Sequence, residues 1–369
     1  MSLNGQGMNT ESMETRGAAL RVPTEIWLEI FSDSNFLILG SEKDGVPRSL
    51  LLFSRVQIDI APKTLPPAYR TWPETLRALS QTCRKFRTIF LPLFWKHVEA
   101  CITSGNGTAW AARVATVLLD RCKGLMKREN QHLALHVRIF SVSLSSHLIA
   151  TVIPLFAQCL ELLPNLDTLH ILYVERKREE MVTAAFKNVQ IPTVQTIILP
   201  SYAHAILRAC PLVRDVSCNG EDGDELFKTL IDHCPHVERI QGFELTPARA
   251  EELSENLPKL REVAVLPYMD FSYLSTIKSL SMIELVVKRW EDVDETELDI
   301  EDFSPSTAFK RKLLQLKQKR IDAARAVLRM STNNVPKGVK MSYWEDITGM
   351  AGTTEYTYGC WVRAEEFDV

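Results

Sequence analysis

Apolar positions follow two rhythms along this chain of 369 residues. Near the N-terminus the rhythm is helical. Pro23 suits the first turn of a helix, where its missing N–H costs nothing, and Thr24-Glu25 sets a carboxylate at the positive helix end. Ile26, Trp27, Ile30 and Phe31 then form a 3,4-spaced apolar face, and Ser32 to Asn35 stop it. A second helical run begins at Leu76. Leu79, Cys83, Phe86 and Ile89-Phe90 continue its apolar face, with Arg77, Arg84, Lys85 and Arg87 largely opposite. This spacing predicts one helix that Pro92 breaks, after which Leu93-Phe94-Trp95 turns the chain back. Residues 33 to 72, with Gly40, Gly45, Pro47, Pro62, Pro66 and Pro67, read as an inserted loop; its apolar stretch 49 to 60 fits helix or strand equally.

From about residue 130 a longer repeat replaces the helical rhythm. Five segments place a proline before apolar residues at fixed offsets: Leu163-Pro164-Asn165-Leu166, Ile191-Pro192-Thr193-Val194, Cys210-Pro211-Leu212-Val213, Cys234-Pro235-His236-Val237 and Leu257-Pro258-Lys259-Leu260. The prolines are 28, 19, 24 and 23 residues apart. A sixth segment, Ser279 to Leu285, lacks the proline, and an earlier turn starts near His132. Amphipathic stretches such as Asp224 to His233 and Ala248 to Asn256 precede the prolines, and alternating strands follow them. A unit of one helix and one strand cannot bury its own apolar faces, so the pattern predicts an α/β fold of stacked units with a curved parallel sheet. The competing reading is a non-solenoid α/β domain with coincidental Leu-Pro spacing.

The tail changes character again. Residues 291 to 302 carry eight acidic side chains in twelve positions and read as a solvated linker. Phe309 to Met330 reads as an amphipathic helix that caps the end of the stack, and Tyr343, Trp344, Tyr356, Tyr358 and Trp361 around Gly352 and Gly359 suggest a terminal hairpin. The expected divisions are a disordered 1–20, a helical module over 21–100, stacked repeats over 130–290 and a linker, cap and hairpin over 291–369.

Composition narrows the function. A 46% hydrophobic content supports a sizeable core, while a net charge of −3 and a pI near 6.3 argue against nucleic acid or an anionic membrane as the main partner. Without a signal-like leader or a run of about 18 apolar residues, the sequence predicts a soluble protein of the cytoplasm, the nucleus or both. Eight cysteines without framework spacing read as buried reduced thiols. The basic cluster Lys310-Arg311-Lys312 reads as a solvated helix face ahead of a nuclear signal. No phosphate loop, serine elbow or zinc-protease pattern occurs. His233-Cys234-Pro235-His236 brings three ligand types together, yet the proline splits them and Cys210-Pro211 repeats the position without histidines. No catalytic residue, metal or cofactor is therefore expected.

The order Pro-x-Glu-Ile-x-x-x-Ile-Phe, variable loop, Leu-x-x-Leu-Ser-x-x-Cys-Arg-x-Phe-Arg-x-Ile-x-x-Pro-x-x-Trp resembles the F-box, especially its fungal form, over Arg21 to about Ala100. The loop is longer than in the usual F-box. Irregular leucine-rich repeats behind an F-box, here without the usual turn asparagine, resemble those of fungal and plant F-box proteins. The resemblance implies a substrate receptor of a cullin–RING ubiquitin ligase, docked on a Skp-type adaptor and through it on a cullin. Pro23, Ile26, Ile30, Leu79, Cys83, Phe86, Pro92 and Trp95 would then face the adaptor or form the module core. An unknown protein substrate would meet polar positions of the concave strands: Asp167, His170, Gln195, Arg214, Asp215, Glu238, Arg239, Arg261 and Glu262. The alternative is an interaction scaffold unconnected to ubiquitin.

Overall fold

Each proline-containing segment folds as a tight turn with the proline at its second position, where a fixed φ is an advantage and no N–H is needed. Leu166 N donates to the Leu163 carbonyl at 3.3 Å, Val213 N to Cys210 at 3.2 Å, Val237 N to Cys234 at 3.2 Å and Leu260 N to Leu257 at 3.1 Å. The proline-free unit makes the same bond from Leu280 to Ile277 at 3.2 Å. Both ends of each turn are buried, so Cys210 and Cys234 stand where other units have Leu or Ile. The strand begins after the turn, not directly after the proline as the alternation suggested.

The computed structural model describes residues 22–28, 67–101, 107–218, 223–265, 270–288, 307–333, 335–346 and 359–368. Helices α1 (Pro67–Ser80) and α2 (Arg84–Lys96) lead into strand β1 (His97–Ala100). There follow α3 (Gly107–Met126), β2 (Ile139–Leu144), α4 (Ile149–Glu161), β3 (Thr168–Val174), α5 (Glu179–Phe186), β4 (Thr196–Leu199), α6 (His204–Arg208), β5 (Asp215–Cys218), α7 (Asp224–His233), β6 (Arg239–Gln241), α8 (Pro247–Asn256), β7 (Glu262–Val265), β8 (Met282–Lys288), α9 (Thr307–Met330), β9 (Gly338–Asp346) and β10 (Gly359–Asp368). All ten strands form one sheet in sequence order, β1 to β9 parallel and β10 antiparallel to β9. With neighbours in sequence order, right-handed crossovers send every connecting helix to the same face.

That geometry selects the core. Val98, Phe140, Leu169, Ile197, Val216, Ile240, Val263, Ile283 and Val339 pair across β1 to β9 in one register row, and all are buried against the helices. Each such side chain contributes about 1.5–3 kcal/mol by leaving water. At the foot of the strands a second row holds neighbours together through the backbone. The Asp167 carbonyl accepts from both Gln195 N (2.8 Å) and Thr196 N (3.0 Å), and the carbonyls of Gln195, Arg214, Glu238 and Arg261 each do the same for the next unit.

The observed elements correct several expectations. The run from Leu76 is two helices. Ser80 and Thr82 turn their hydroxyls onto the Arg77 and Leu79 carbonyls (2.7 and 2.8 Å), ending α1 in competition with the helix ladder. Cys83 is extended and caps α2, its Sγ accepting from Phe86 N at 3.5 Å, so it does not share a continuous helical face with Leu79 and Phe86. Pro92 does not break α2. The bond it forfeits at Thr88 is outweighed by apolar contacts of Phe90 and Leu91 before it and Trp95 after it. The sheet starts inside the segment assigned to the helical module, at His97, and runs past residue 290. Helix α9 is no end cap: it is the crossover from β8 to β9, burying Ile321, Ala324, Val327 and Leu328. The terminal hairpin is present as β9–β10.

Candidate interaction surfaces

The two halves of the N-terminal pattern meet. Trp27, on the helical turn 24–28, sits edge-on to Phe86 and Phe90 at 5.4 and 6.0 Å, and the two phenylalanines meet each other edge-to-face at 5.3 Å. Lys85 Nζ ties the start of the turn by donating to the Val22 carbonyl at 3.3 Å. Leu76, Phe86, Ile89 and Phe90 form the interior, with Leu79, Cys83, Leu93 and Phe94 half-buried around them. Pro23 and Ile26 lie outside this interior, Ile26 with 43% of its surface open and Leu28 beside it also exposed. Trp95 faces the other way, against the sheet core, with the Arg121 guanidinium 5.8 Å above its ring. Pro92 is half-buried and Ile30 lies outside the described residues.

The polar positions predicted as one concave row divide into three groups, because strand alternation sends neighbouring residues to different surroundings. Asp215, Arg239 and Glu262 are register partners on the sheet face that carries no crossover helix. Arg239 is not exposed there: it is 6% open and faces Asp215 (3.6 Å), Glu262 (3.1 Å) and the fully buried Glu284. Lys340 approaches Glu284 from β9 at 4.0 Å. Glu284 and Lys340 complete this cluster from β8, whose preceding turn lacks the proline, and from β9, which the sequence pattern suggests only as part of a terminal hairpin.

His170 is likewise buried. It belongs to a chain of side chains crossing β1, β2 and β3: Glu99 to His97 Nδ1 (3.2 Å), His97 Nε2 to Ser141 Oγ (2.8 Å) and Ser141 Oγ to His170 Nδ1 (2.9 Å). With Glu99 accepting from Nδ1–H, His97 Nε2 accepts the Ser141 hydroxyl proton and Ser141 accepts from His170 Nδ1–H. The order carboxylate, imidazole, hydroxyl is that of an activated nucleophile, yet Ser141 is fully buried with His170 on its other side. An electrophile has no approach to Oγ. Burial, reinforced by nearby His97, drives the His170 pKa down to about 3, and burial lowers His97 against the opposing pull of Glu99. A histidine kept neutral in the fold but free to protonate when unfolded destabilises the native state as pH falls below about 6.5. We expect stability to drop by up to about 1.4 kcal/mol per pH unit toward pH 4 from this residue alone. Urea melts of wild type and His170→Gln across that range check it; equal slopes would refute the assignment.

Asp167, Gln195, Arg214 and Glu238, in contrast, line one groove of about 430 Å³ along the strand feet, with Arg261 exposed next in the row. Its far wall consists of the residues that follow the turn prolines, Asn165, Thr193, Leu212, His236 and Lys259, and Arg138 closes the β2 end. Arg214 pairs with Glu238 at 3.4 Å and Lys259 Nζ donates to His236 Nδ1 at 3.0 Å. The sequence pattern held this wall in view as turn positions; what it lacked was the lateral stacking that makes a trough of them.

The cysteines whose side chains are described offer no activated thiol. Among them, Cys101, Cys122, Cys159, Cys210, Cys218 and Cys234 are buried and outside any disulfide, and Cys83 is half-open. Burial holds the thiols of Cys101, Cys122 and Cys210 well up and that of Cys234 up to about 12, with a hydrogen bond to Cys159 the larger cause at Cys122. A thiol reagent at about pH 8 should therefore modify Cys83 in the native protein and reach these six only on unfolding, as peptide mass mapping would show. No group of three or more His, Cys, Asp or Glu residues suited to a metal ion occurs among the described residues, and none of their helices is long and apolar enough to cross a membrane. No protein-family model matches the chain, and no curated protein matches it either.

Proposed function

We propose that this chain is the substrate-recognition subunit of an SCF-type cullin–RING ubiquitin ligase, with an F-box over residues 21–100 that docks on a Skp-type adaptor and irregular leucine-rich repeats that hold the substrate protein. The observation that supports it most is the closure of the two motif halves into one apolar interior around Trp27, Phe86 and Phe90, which leaves Pro23, Ile26 and Leu28 facing outward. A helical module needed only for its own stability would gain by burying these side chains. Repeated turn, strand and helix units, stacked in sequence order, fit the recognition half of such a receptor.

Co-expression with a Skp-type adaptor tests the reading. Wild type should co-purify with the adaptor, and Ile26→Glu should abolish the complex while leaving the thermal midpoint within about 2 °C, because the side chain is exposed. Absence of a wild-type complex would favour an interaction scaffold without a ligase role.

A further inference from the structure

We infer that the groove at the strand feet, rather than the sheet face, receives the partner, and that it takes an extended acidic segment whose carboxylates are spaced four residues apart. This rests on the reading of the repeats as a protein-binding surface and adds the chemistry of what binds.

The two surfaces differ in charge. On the helix-free face Glu99, Asp215, Glu262 and Glu284 outnumber Arg239 and Lys340, and Arg239 is already surrounded by three of the carboxylates. The groove has the opposite sign within a chain of net charge −3. Arg138, Arg214 and Lys259 face it against Asp167 and Glu238, and Arg261 stands at its end. These cations are open to solvent, Arg214 with 60% of its side chain exposed although it touches Glu238. An acidic partner is thus turned away from the sheet face and drawn to the strand feet.

Spacing follows from the sheet. Adjacent strands are about 4.8 Å apart, so the trough from β2 to β7 is about 24 Å long, the length of about seven extended residues. Arg138 precedes β2 and Arg214 precedes β5, three strand steps or about 14 Å apart, which is four residues of an extended chain at about 3.3–3.4 Å each. Four is even, so both matching side chains point the same way. Between the two arginines lie Asp167, whose carboxylate accepts from Thr168 Oγ1 at 3.0 Å, and the uncharged Gln195, whose amide makes no hydrogen bond among the described residues and is placed to pair with a peptide backbone. Leu212, 47% exposed on the opposite wall, offers an apolar contact next to the second arginine.

Selection from a library of roughly nine-residue peptides on the full chain, without adaptor, tests this. Enrichment of Asp or Glu pairs at i and i+4 is expected, and the best peptide should lose about fivefold or more in affinity with Arg138→Glu or Arg214→Glu. Selection on Arg214→Glu should replace one acidic position by Lys or Arg. Arg113→Glu, an exposed reversal on α3, matches the change in net charge and should leave the preference intact. No enrichment, enrichment without the acidic pair, or a pair that survives both groove reversals would overturn the inference. Adaptor co-purification is read separately, so a groove failure with an intact adaptor complex removes this inference and spares the ligase reading.

Discussion

Gly242→Ala is expected to cost at least about 3 kcal/mol, enough to unfold much of the protein at physiological temperature. Gly242 follows β6 directly and has φ +77°, a backbone conformation costing an L-residue about 1–2 kcal/mol. A β-carbon there would lie 2.0 Å from the Cys218 carbonyl oxygen, which belongs to the end of β5 and cannot yield without moving the strand. The same substitution at Gly124, inside α3, meets nothing within 4 Å and should stabilise by about 0.5–1 kcal/mol. Denaturant melts of the two variants side by side make the comparison, since both replace hydrogen by methyl. Similar effects of equal sign would show that the close approach of β6 to β5 is not what the glycine serves.

Arg239→Met should destabilise by about 3–5 kcal/mol, because removing one partner strands the opposing charges in a buried setting. The loss is not that of a surface ion pair, which is worth under about 1 kcal/mol. Glu284 is 1% exposed and would be left with Lys340 at 4.0 Å, while Asp215 and Glu262 would repel it. Replacing Glu284 by Met alone removes one of the three carboxylates facing Arg239 and should cost less. The double change Arg239→Met with Glu284→Met should then recover part of the deficit, and a double-mutant cycle by urea melts measures the coupling. In Arg239→Met the crowded carboxylates take up protons more readily in the fold than in the unfolded chain. Its deficit should accordingly shrink as pH falls from about 7 toward 5. A deficit below about 1 kcal/mol, or one that grows in acid, would rule the cluster out as a buried network.

Much of the architecture was legible in the sequence because one turn is written repeatedly in the same residues. Leu163 to Leu169 and Leu257 to Val263 show the spacing of buried positions plainly, and the paired register of Leu169, Val263 and their neighbours follows from it. What stayed hidden had other causes. β1 has four residues directly after a helix, too few to show alternation, so its role as a sheet edge with His97 and Glu99 was lost in an apparent helical module. The break before Cys83 was invisible to a periodicity that runs through it, because hydroxyl competition at Ser80 and Thr82 ended the helix. The polar positions were recognisable as a set, but their division between a buried ion cluster and an open trough depends on which unit lies beside which, and lateral neighbours are not encoded by spacing within one unit. Arg138, His236 and Lys259 reach the trough in the same way, brought there only by the neighbouring units.

Helix α2 ends at Lys96 and β1 begins at His97, with no residue between them. There is no hinge at that junction, and Trp95 and Arg121 brace it from the sheet side. Whatever grips the helical end therefore holds the trough at a set bearing, and the count of units works as a ruler. Deleting or duplicating a unit ahead of β5 would carry Arg214 toward or away from that grip in increments of about 4.8 Å.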